Sequence, residues 1–336
     1  MSNNILISNK GPVLSVVVPA YNESVGIEKA LTEIISILFS CKVDWEIIVV
    51  DDGSKDDTYQ KVCRLAQFEP RIKAISLSRN FGKEGAIFAG LEHATGEAVI
   101  TIDADLQHPP VLIPDLLEKW QQGVQIVHAV KRARSQESME KKARAYCINK
   151  LISGLGGINI NNSSDYKLLD AEIVDIIIHQ LPERERFYRG LTSWLGFKEE
   201  YVYFDVDTRQ GDKSKWSFLA LLELAITALT SFTVLPLRIV TILGITTLVL
   251  GITVASEAIW SLFTGQAVSG FATTIICLLI IGSFIMISLG IIGEYIAKIY
   301  EEVKQRPLYL MKASVGFDER IAEKSLNSEY KRSAMR

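Results

Sequence analysis

The chain has 336 residues, of which 48% are apolar and 22% charged, so its length allows one large domain or two ordinary ones. Its 36 Lys and Arg against 39 Asp and Glu give a formal net charge of -3, which argues against a nucleic-acid-binding protein. The mean hydropathy of +0.20 is high for a soluble protein, and the apolar excess lies in the last third of the sequence. We therefore expect a soluble domain with a membrane anchor.

The cysteines and the N-terminus indicate a reducing compartment. Cys41, Cys63, Cys147 and Cys277 are widely spaced and form no C-x-x-C pair, which argues against a disulfide framework and a zinc site. The first residues lack the basic segment, apolar core and cleavage site of a signal peptide. We expect buried thiols and an N-terminal domain that stays in the compartment where it is made.

Short β-branched strands alternate with helical patterns between residues 13 and 130. The expected strands are 14–18, 45–50, 72–77 and 98–102, and the expected helices are 25–39, 56–68 and 85–94. Strands of nearly continuous Val and Ile are buried on both faces, which predicts a mostly parallel sheet between layers of helices. Ligands of such α/β folds bind at the carboxyl ends of the strands. We therefore look for the functional residues there.

The composition changes after residue 209. Apolar segments follow at 216–232, 236–258 and 270–293, and the last two have the roughly 20 residues that a bilayer core requires. The segment 216–232, preceded by Lys213 and Lys215, predicts a helix in the membrane interface, with a buried soluble helix as the alternative. Basic residues flank the two spans but not the loop between them, which predicts that both termini are cytoplasmic.

These boundaries predict four regions. They are a catalytic domain at 1–212, a juxtamembrane amphipathic helix at 213–232, a two-helix membrane domain at 233–296 and a cytoplasmic tail at 297–336.

The strongest motif follows the fourth expected strand. Residues 100–107 read ITIDADLQ, so that Asp103 and Asp105 come directly after an apolar strand. Carboxylate oxygens are the ligands that Mg²⁺ and Mn²⁺ prefer, and such a metal also binds diphosphates. The alternative is a solvated strand end with capping aspartates. The other strand ends favour the metal site.

Each of the other three expected strands also ends in polar residues. The first ends in Pro19-Ala20-Tyr21-Asn22-Glu23, and the third leads to Gly82 and Lys83, a flexible residue and a cation suited to phosphate. The second ends at Asp51 and Asp52; Ser54 and Asp57 form a capping signature for the next helix. Asp52 is then left to accept hydrogen bonds from a base or a ribose.

The sequences VVVPAYNE, VVDDGSKDDT, LSRNFGKEGAIFAGLEHATG and ITIDADLQHPP together resemble the family 2 glycosyltransferases, which have a GT-A fold. The chain also resembles a narrower group in three segments that precede the two spans: Asp165-Tyr166-Lys167-Leu168-Leu169, FYRGLTSWLGF at 187–197 and RQGDKSKWS at 209–217. This narrower group is the polyprenyl-phosphate glycosyltransferases, which include GtrB-type undecaprenyl-phosphate glucosyltransferases and dolichol-phosphate mannose synthases. The similarity covers roughly residues 13 to 307.

The resemblance implies roles for residues at these strand ends. It implies that Asp103, Asp105 and Gln107 bind Mg²⁺ or Mn²⁺, and that Pro19, Tyr21, Glu23 and Asp52 bind the nucleoside. It also implies that Asp165 lies near the sugar, where it acts in catalysis with Asp103 and Asp105.

Three positions depart from the pattern of the family. His108 stands where relatives often have Asp, and Lys131 and Lys167 stand where Arg is common. Lysine keeps the charge but lacks the bidentate fork of arginine, so the phosphate contacts of Lys131 and Lys167 are less well defined than the metal site.

The acceptor phosphate requires cations. Lys131, Arg134, Arg209 and Lys215 are the candidates, with a solvated helix face as the alternative for the basic run that begins at Lys131. The four histidines, His93, His108, His128 and His179, lack ligand spacing and are interpreted as structural. The Gly-rich segment at 154–157 follows no apolar strand, which argues against a dinucleotide site.

We therefore expect an integral membrane enzyme with a GT-A domain, an α/β fold with a mostly parallel sheet. From the resemblance we expect inverting, metal-dependent transfer of a hexose, glucose from UDP-glucose, to a polyprenyl phosphate at the cytoplasmic face of the plasma membrane. A homo-oligomer is left open. The alternatives are a processive polysaccharide synthase, for which the Q-x-x-R-W motif is missing, and a non-catalytic membrane scaffold that binds nucleotide sugars.

Overall fold

The computed structural model describes residues 13–132, 164–181, 188–204, 235–265 and 270–317, which belong to two compact units. The first unit contains the described residues up to 204 and those from 307 onward, and the second contains 235–265 and 270–306.

The first unit is built on one eight-stranded sheet with the strand order β7-β5-β6-β4-β1-β2-β3-β8. The strands are β1 (Leu14–Ala20), β2 (Trp45–Asp51), β3 (Ile72–Leu77), β4 (Ala98–Thr101), β5 (Ile126–Lys131), β6 (Lys167–Asp170), β7 (Glu199–Phe204) and β8 (Met311–Val315). The helices are α1 (Ile27–Cys41), α2 (Thr58–Phe68), α3 (Lys83–His93), α4 (Ile113–Gln121), α5 (Ala171–Asp175) and α6 (Tyr188–Trp194). A 3₁₀ turn lies at Pro110–Leu112, and a π-helical turn follows α5 at Ile176–Gln180.

The centre of the sheet is parallel, as the sequence predicts. β1 pairs in parallel with β2 and β4, and β2 pairs in parallel with β3. β6 runs antiparallel between β4 and β5, while β7 extends the sheet in parallel with β5. All four expected strands and all three expected helices are present near their predicted positions. The prediction of a mostly parallel α/β sheet is confirmed.

Helices cover both faces of the sheet because the side chains of β1 alternate between two cores. Val16 and Val18 pack in the core that contains α1, whereas Val17 packs with Phe88 and Leu91 of α3. A Cβ at position 90 would lie 2.2 Å from a methyl group of Val17. Gly90 therefore lets α3 approach β1 closely, and this contact fixes the first turn of α3 beside the ends of β1 and β4.

The chain returns to this unit at residue 307, within the region predicted to be a separate cytoplasmic tail. β8 pairs antiparallel with β3, and the N–H of Ser78 donates to the carbonyl of Leu310 at 2.8 Å. Tyr309 is buried beneath the same edge, and its hydroxyl donates to Glu92 at 2.6 Å. The sequence did not predict β8 because a five-residue edge strand gains most of its stability from its neighbour.

The second unit contains two long helices, α7 (Leu235–Thr264) and α8 (Phe271–Lys304). The stretches Leu237–Ser261 and Ile276–Lys304 have mean hydropathies of 2.2 and 2.6, and they are long and apolar enough to cross a membrane. Their apolar side chains are largely exposed, including Trp260 at 73%. These helices match the two expected spans, although α8 continues beyond residue 293. The expected interfacial helix at 213–232 lies outside the described residues.

Candidate active site

A cleft of about 310 Å³ opens at the carboxyl ends of β1, β2 and β4, beside the first turn of α3. It is lined by Pro19, Ala20, Tyr21, Glu23, Asp52, Asn80, Gly82, Lys83, Ala86, Asp103, Ala104 and Asp105. Eight of these residues are ones that the sequence singles out at four separate strand ends: Pro19, Tyr21, Glu23, Asp52, Gly82, Lys83, Asp103 and Asp105. Parallel strands bring their carboxyl ends to one edge of the sheet, which explains why residues so far apart in sequence meet here.

Asp52 organises the wall of this cleft. It is 3% exposed, and its Oδ1 and Oδ2 accept hydrogen bonds from the backbone N–H groups of Phe81 and Gly82 at 2.7 and 2.9 Å. Burial raises the pKa of Asp52 despite these two bonds. The carboxylate thus holds the β3–α3 loop in position, a role that the sequence did not predict for it.

The loops after β1 and β2 are held together by hydrogen bonds. The N–H of Asn22 donates to Ser54 Oγ, and the N–H of Glu23 donates to Thr58 Oγ1, each at 2.9 Å. This arrangement places the carboxylate of Glu23 near Asp105. Partial burial, followed by the negative charge of Asp105, raises the pKa of Glu23. The cleft therefore concentrates negative charge, as a cation site does.

The donor set at the end of β4 fits a divalent cation. Asp103, Asp105 and His108 each place one ligand atom so that the three atoms lie within 4.8 Å of one another. Leu106 has a φ of 56°, and the N–H of Gln107 donates to Asp105 Oδ1 at 3.0 Å, which turns the chain sharply. Carboxylates suit both Mg²⁺ and Mn²⁺, whereas an imidazole ligand suits Mn²⁺ better than Mg²⁺.

His108 and Gln107 differ in how they compare with the predictions. His108 Nδ1 lies 3.5 Å from Asp103 Oδ2, and its ring contacts Tyr166 and Phe204 edge-on. The interpretation of His108 as structural is therefore incomplete, because the ring also belongs to the donor set. Gln107 is exposed on the same turn, and its role as a metal ligand stays a prediction.

Four charged side chains form a chain of alternating sign at the edge of the cleft. Lys83 Nζ lies 2.6 Å from Asp103 Oδ1 and 2.9 Å from Asp165 Oδ2. Nε and Nη2 of Arg189 donate to the two oxygens of Asp165 at 2.7 Å each, a bidentate pair. Asp165, which lies just before β6, is thereby joined through Lys83 to Asp103, which follows β4, and through Arg189 to α6.

These cations set the charge of the two carboxylates. Burial acts to raise the pKa of Asp165, but hydrogen bonds and charge from Arg189 and Lys83 outweigh it and hold the pKa well below its usual range. Burial also acts to raise the pKa of Asp103, but His108 and Lys83 together outweigh burial and lower that pKa. Both carboxylates are therefore ionised at neutral pH, so neither serves as a general acid.

Arg189 was not among the predicted site residues. It lies within the quoted segment FYRGLTSWLGF, but nothing in that segment reveals which carboxylate the guanidinium meets. Only the packing of α6 against β6 brings the two together.

The cations predicted to contact phosphate differ in their position and exposure. Lys167 is fully buried, and its Nζ donates to Thr192 Oγ1 at 2.8 Å, so the expectation that it contacts phosphate is wrong. Lys131 is exposed at the carboxyl end of β5, on the same edge of the sheet as the cleft. Arg134, Arg209 and Lys215 lie outside the described residues.

Comparison with known proteins agrees with this geometry. The model of the family described as Glycosyl transferase family 2 matches residues 15–174. An uncharacterised glycosyltransferase of Synechocystis sp. is 42% identical over 89% of this chain and 94% of its own. The SfII prophage-derived bactoprenol glucosyl transferase of Shigella flexneri is 37% identical over 90% of this chain and 98% of its own. The prophage bactoprenol glucosyl transferase homolog of Escherichia coli is 36% identical over 89% and 98%.

The residues matched by the family model include every strand end that lines the cleft. The relatives align with this chain well beyond those residues and over most of their own lengths. This chain is a glycosyltransferase and belongs to glycosyl transferase family 2.

Proposed function

We propose that this protein transfers glucose from UDP-glucose to a polyprenyl phosphate at the cytoplasmic face of the plasma membrane. The main support is the similarity to proteins named bactoprenol glucosyl transferases, which extends over 98% of their length. Their names specify a sugar and a lipid acceptor. The two helices of membrane-spanning length in this chain are consistent with an acceptor that resides in the bilayer.

The donor is proposed to bind in the cleft. Tyr21 is 41% exposed at its mouth, where its ring is available to a base, and Asp52 holds the β3–α3 loop that forms the opposite wall. Lys83, at the first residue of α3, supplies a positive charge beside Asp103 for the diphosphate. Pro19 and Glu23 complete the proposed nucleoside contacts.

Asp103 and Asp105 are proposed to hold Mg²⁺ or Mn²⁺, with Gln107 and His108 as further donors. When bound, the metal would neutralise the negative charge that develops on the leaving nucleoside diphosphate. Lys83 adds a second positive charge that is fixed by its contacts with Asp103 and Asp165. The residues around the diphosphate thus favour its departure without any proton transfer to it.

The acceptor is proposed to need placement more than activation. The second pKa of a phosphate monoester lies near 6, so its oxygen is already largely deprotonated at neutral pH. Asp165 is ionised and locked by Arg189 and Lys83, which suits a residue that orients a sugar hydroxyl or directs the acceptor. Lys131, Arg134, Arg209 and Lys215 are proposed to hold the acceptor phosphate. Direct attack on the anomeric carbon gives inversion.

The membrane arrangement is likewise a proposal. Both termini are placed in the cytoplasm, with residues 213–232 as a helix in the interface. The four predicted regions are kept, except that residues 307–317 are assigned to the catalytic domain because β8 pairs with β3.

The test is a transfer assay with the purified full-length protein in lipid nanodiscs. Radiolabelled UDP-glucose, GDP-mannose and UDP-N-acetylglucosamine are each offered with undecaprenyl phosphate, with Mg²⁺, Mn²⁺ or EDTA. We expect label from UDP-glucose in the lipid phase, dependence on the metal, and an inverted anomeric linkage by NMR. Lack of lipid labelling from any donor would refute the proposal.

Two other outcomes would support the alternatives. A growing polymer in place of a monoglycosylated lipid would favour a processive synthase, and donor binding without transfer would favour a scaffold.

Arg209→Ala and Lys215→Ala test the acceptor site, since each should raise the KM for the lipid without changing the affinity for the donor.

A further inference from the structure

Lys167 is a lysine in the interior of the first unit. It is fully buried on β6, where its backbone pairs with Thr101 of β4 on one side and His128 of β5 on the other. Burial lowers its pKa to about 7; the charges of Asp165, Glu199 and Glu84 act to raise it, and that of Arg189 to lower it. A buried ammonium group is costly, and an apolar residue of similar volume often packs as well or better. The lysine therefore calls for an explanation other than stability.

The contacts of Lys167 lie on α6. Its Nζ donates to Thr192 Oγ1 at 2.8 Å and lies 4.3 Å from the centre of the Tyr188 ring. Tyr188 and Thr192 are four residues apart and so share one face of the helix. Lys167 thus holds this helix at two points along a single face.

The same helix carries Arg189, whose guanidinium holds the Asp165 carboxylate. Asp165 and Lys167 are two residues apart, with Tyr166 between them, and both contact α6, Asp165 at the edge of the cleft and Lys167 in the interior. A further link runs through Thr101, whose hydroxyl donates to the backbone carbonyl of Asp165 and lies 3.0 Å from the hydroxyl of Tyr188. The interior contacts and the cleft contacts therefore form one connected group.

We propose that Lys167 is a positioning residue, which holds α6 so that Arg189 keeps the Asp165 carboxylate in the orientation that sugar transfer requires. This inference rests on the proposed function and adds a residue that touches neither substrate. An error of about 1 Å in the placement of a reacting group can cost about 10²-fold in rate, so a modest shift of α6 is enough to matter.

The test compares Lys167→Met with Lys167→Arg in the full-length protein. Methionine fills a similar volume without the charge or the donor, while arginine keeps both. For Lys167→Met we expect kcat to fall by about 10- to 100-fold, with the KM for UDP-glucose within about twofold and the melting temperature unchanged or higher. Lys167→Arg should recover most of kcat. Leu169→Val, a buried change on the same strand, should leave kcat unchanged.

Coupling to Arg189 distinguishes positioning from general damage to the fold. In an Arg189→Gln background, Lys167→Met should reduce kcat by less than about threefold, because the residue it positions is already lost. Thr192→Val, which replaces the hydroxyl partner with a methyl group, should reproduce part of the loss and provides the test if Lys167→Met does not fold.

The outcomes separate this inference from the proposed function. If the wild-type protein transfers glucose but the losses of Lys167→Met and Arg189→Gln multiply, or Lys167→Met keeps the wild-type kcat, the inference is wrong and the proposed function stands. If the wild-type protein transfers no sugar to the lipid, the proposed function fails and the inference with it.

Discussion

Asp105→Asn is the most direct test of the metal site, because the structure separates its chemical effect from its effect on folding. Asp105 is exposed, and its Oδ1 accepts a hydrogen bond from the N–H of Gln107, which an asparagine oxygen also accepts. A surface substitution of this kind changes the free energy of unfolding by no more than about 0.5 kcal/mol. Asp103→Asn is less suitable, since Asp103 also contacts Lys83 and His108.

The expected loss of activity is much larger than the loss of stability. The change removes one full negative charge from a donor set whose ligand atoms lie within 4.8 Å of one another. Loss of a group that stabilises developing charge costs about 3 to 4 kcal/mol in the transition state, which corresponds to about 10²- to 10³-fold in kcat. Neutralising Asp105 also removes a charge that raises the pKa of Glu23, so the carboxyl of Glu23 should titrate at a lower pH.

The assay is transfer of labelled glucose into the lipid phase over a titration of Mg²⁺ and Mn²⁺, with thermal unfolding measured on the same samples. Direct Mn²⁺ binding is followed by EPR. Asp175→Asn is the matched control, since Asp175 is an exposed carboxylate that pairs with His179 away from the cleft. If folded Asp105→Asn protein transfers sugar at the wild-type rate at every metal concentration, the assignment of the metal site is refuted.

Four further predictions follow from other features. Asp52→Asn leaves one of the two N–H groups of the β3–α3 loop without an acceptor, so the dissociation constant for UDP, measured by calorimetry, should rise about tenfold; an unchanged constant would contradict the role of Asp52 in the loop. Because burial lowers the pKa of Lys167 to about 7, the folded chain binds fewer protons than the unfolded chain above that pH. Wild-type stability relative to Lys167→Met should therefore rise from pH 7 to pH 9, and a difference in melting temperature that does not change with pH would argue against the lowered pKa. Tyr309→Ala should cost about 3 to 5 kcal/mol of unfolding free energy and Tyr309→Phe about 1 kcal/mol, as determined by denaturant titration, whereas equal losses would show that the hydrogen bond to Glu92 dominates. A reporter fused to the C-terminus should be found in the cytoplasm, and its detection on the external face would rule out the two-span arrangement.

The sequence predicts the centre of the sheet and the floor of the cleft because both depend on local patterns. Strands β1 to β4 are short runs of β-branched residues, and each is followed by the polar residues that line the cleft. Parallel pairing then brings these residues to one edge, whatever their separation in sequence. The candidate metal motif could therefore be proposed from its two carboxylates together with the polar residues at the other strand ends, without knowledge of any tertiary contact.

The contacts between the charged site residues could not be found in this way because they join residues that are distant in sequence. Lys83 and Asp165 are separated by 82 residues, and Arg189 reaches Asp165 only because α6 packs beside β6. Lys167 carries the charge of a phosphate ligand, but α6 covers the face of β6 on which its side chain lies and buries it. The antiparallel strand β6 has only four residues, too few for a reliable period.

The pairing of β8 with β3 has a consequence for biosynthesis. β3 ends at Leu77 and β8 begins at Met311, so the ribosome synthesises both helices of membrane-spanning length before β8 emerges. Until then the outer edge of β3 has unpaired backbone groups, and such an edge is prone to pair with other chains. Completion of the sheet therefore comes after synthesis of α7 and α8, and a nascent chain that stalls at that stage is exposed to aggregation through β3.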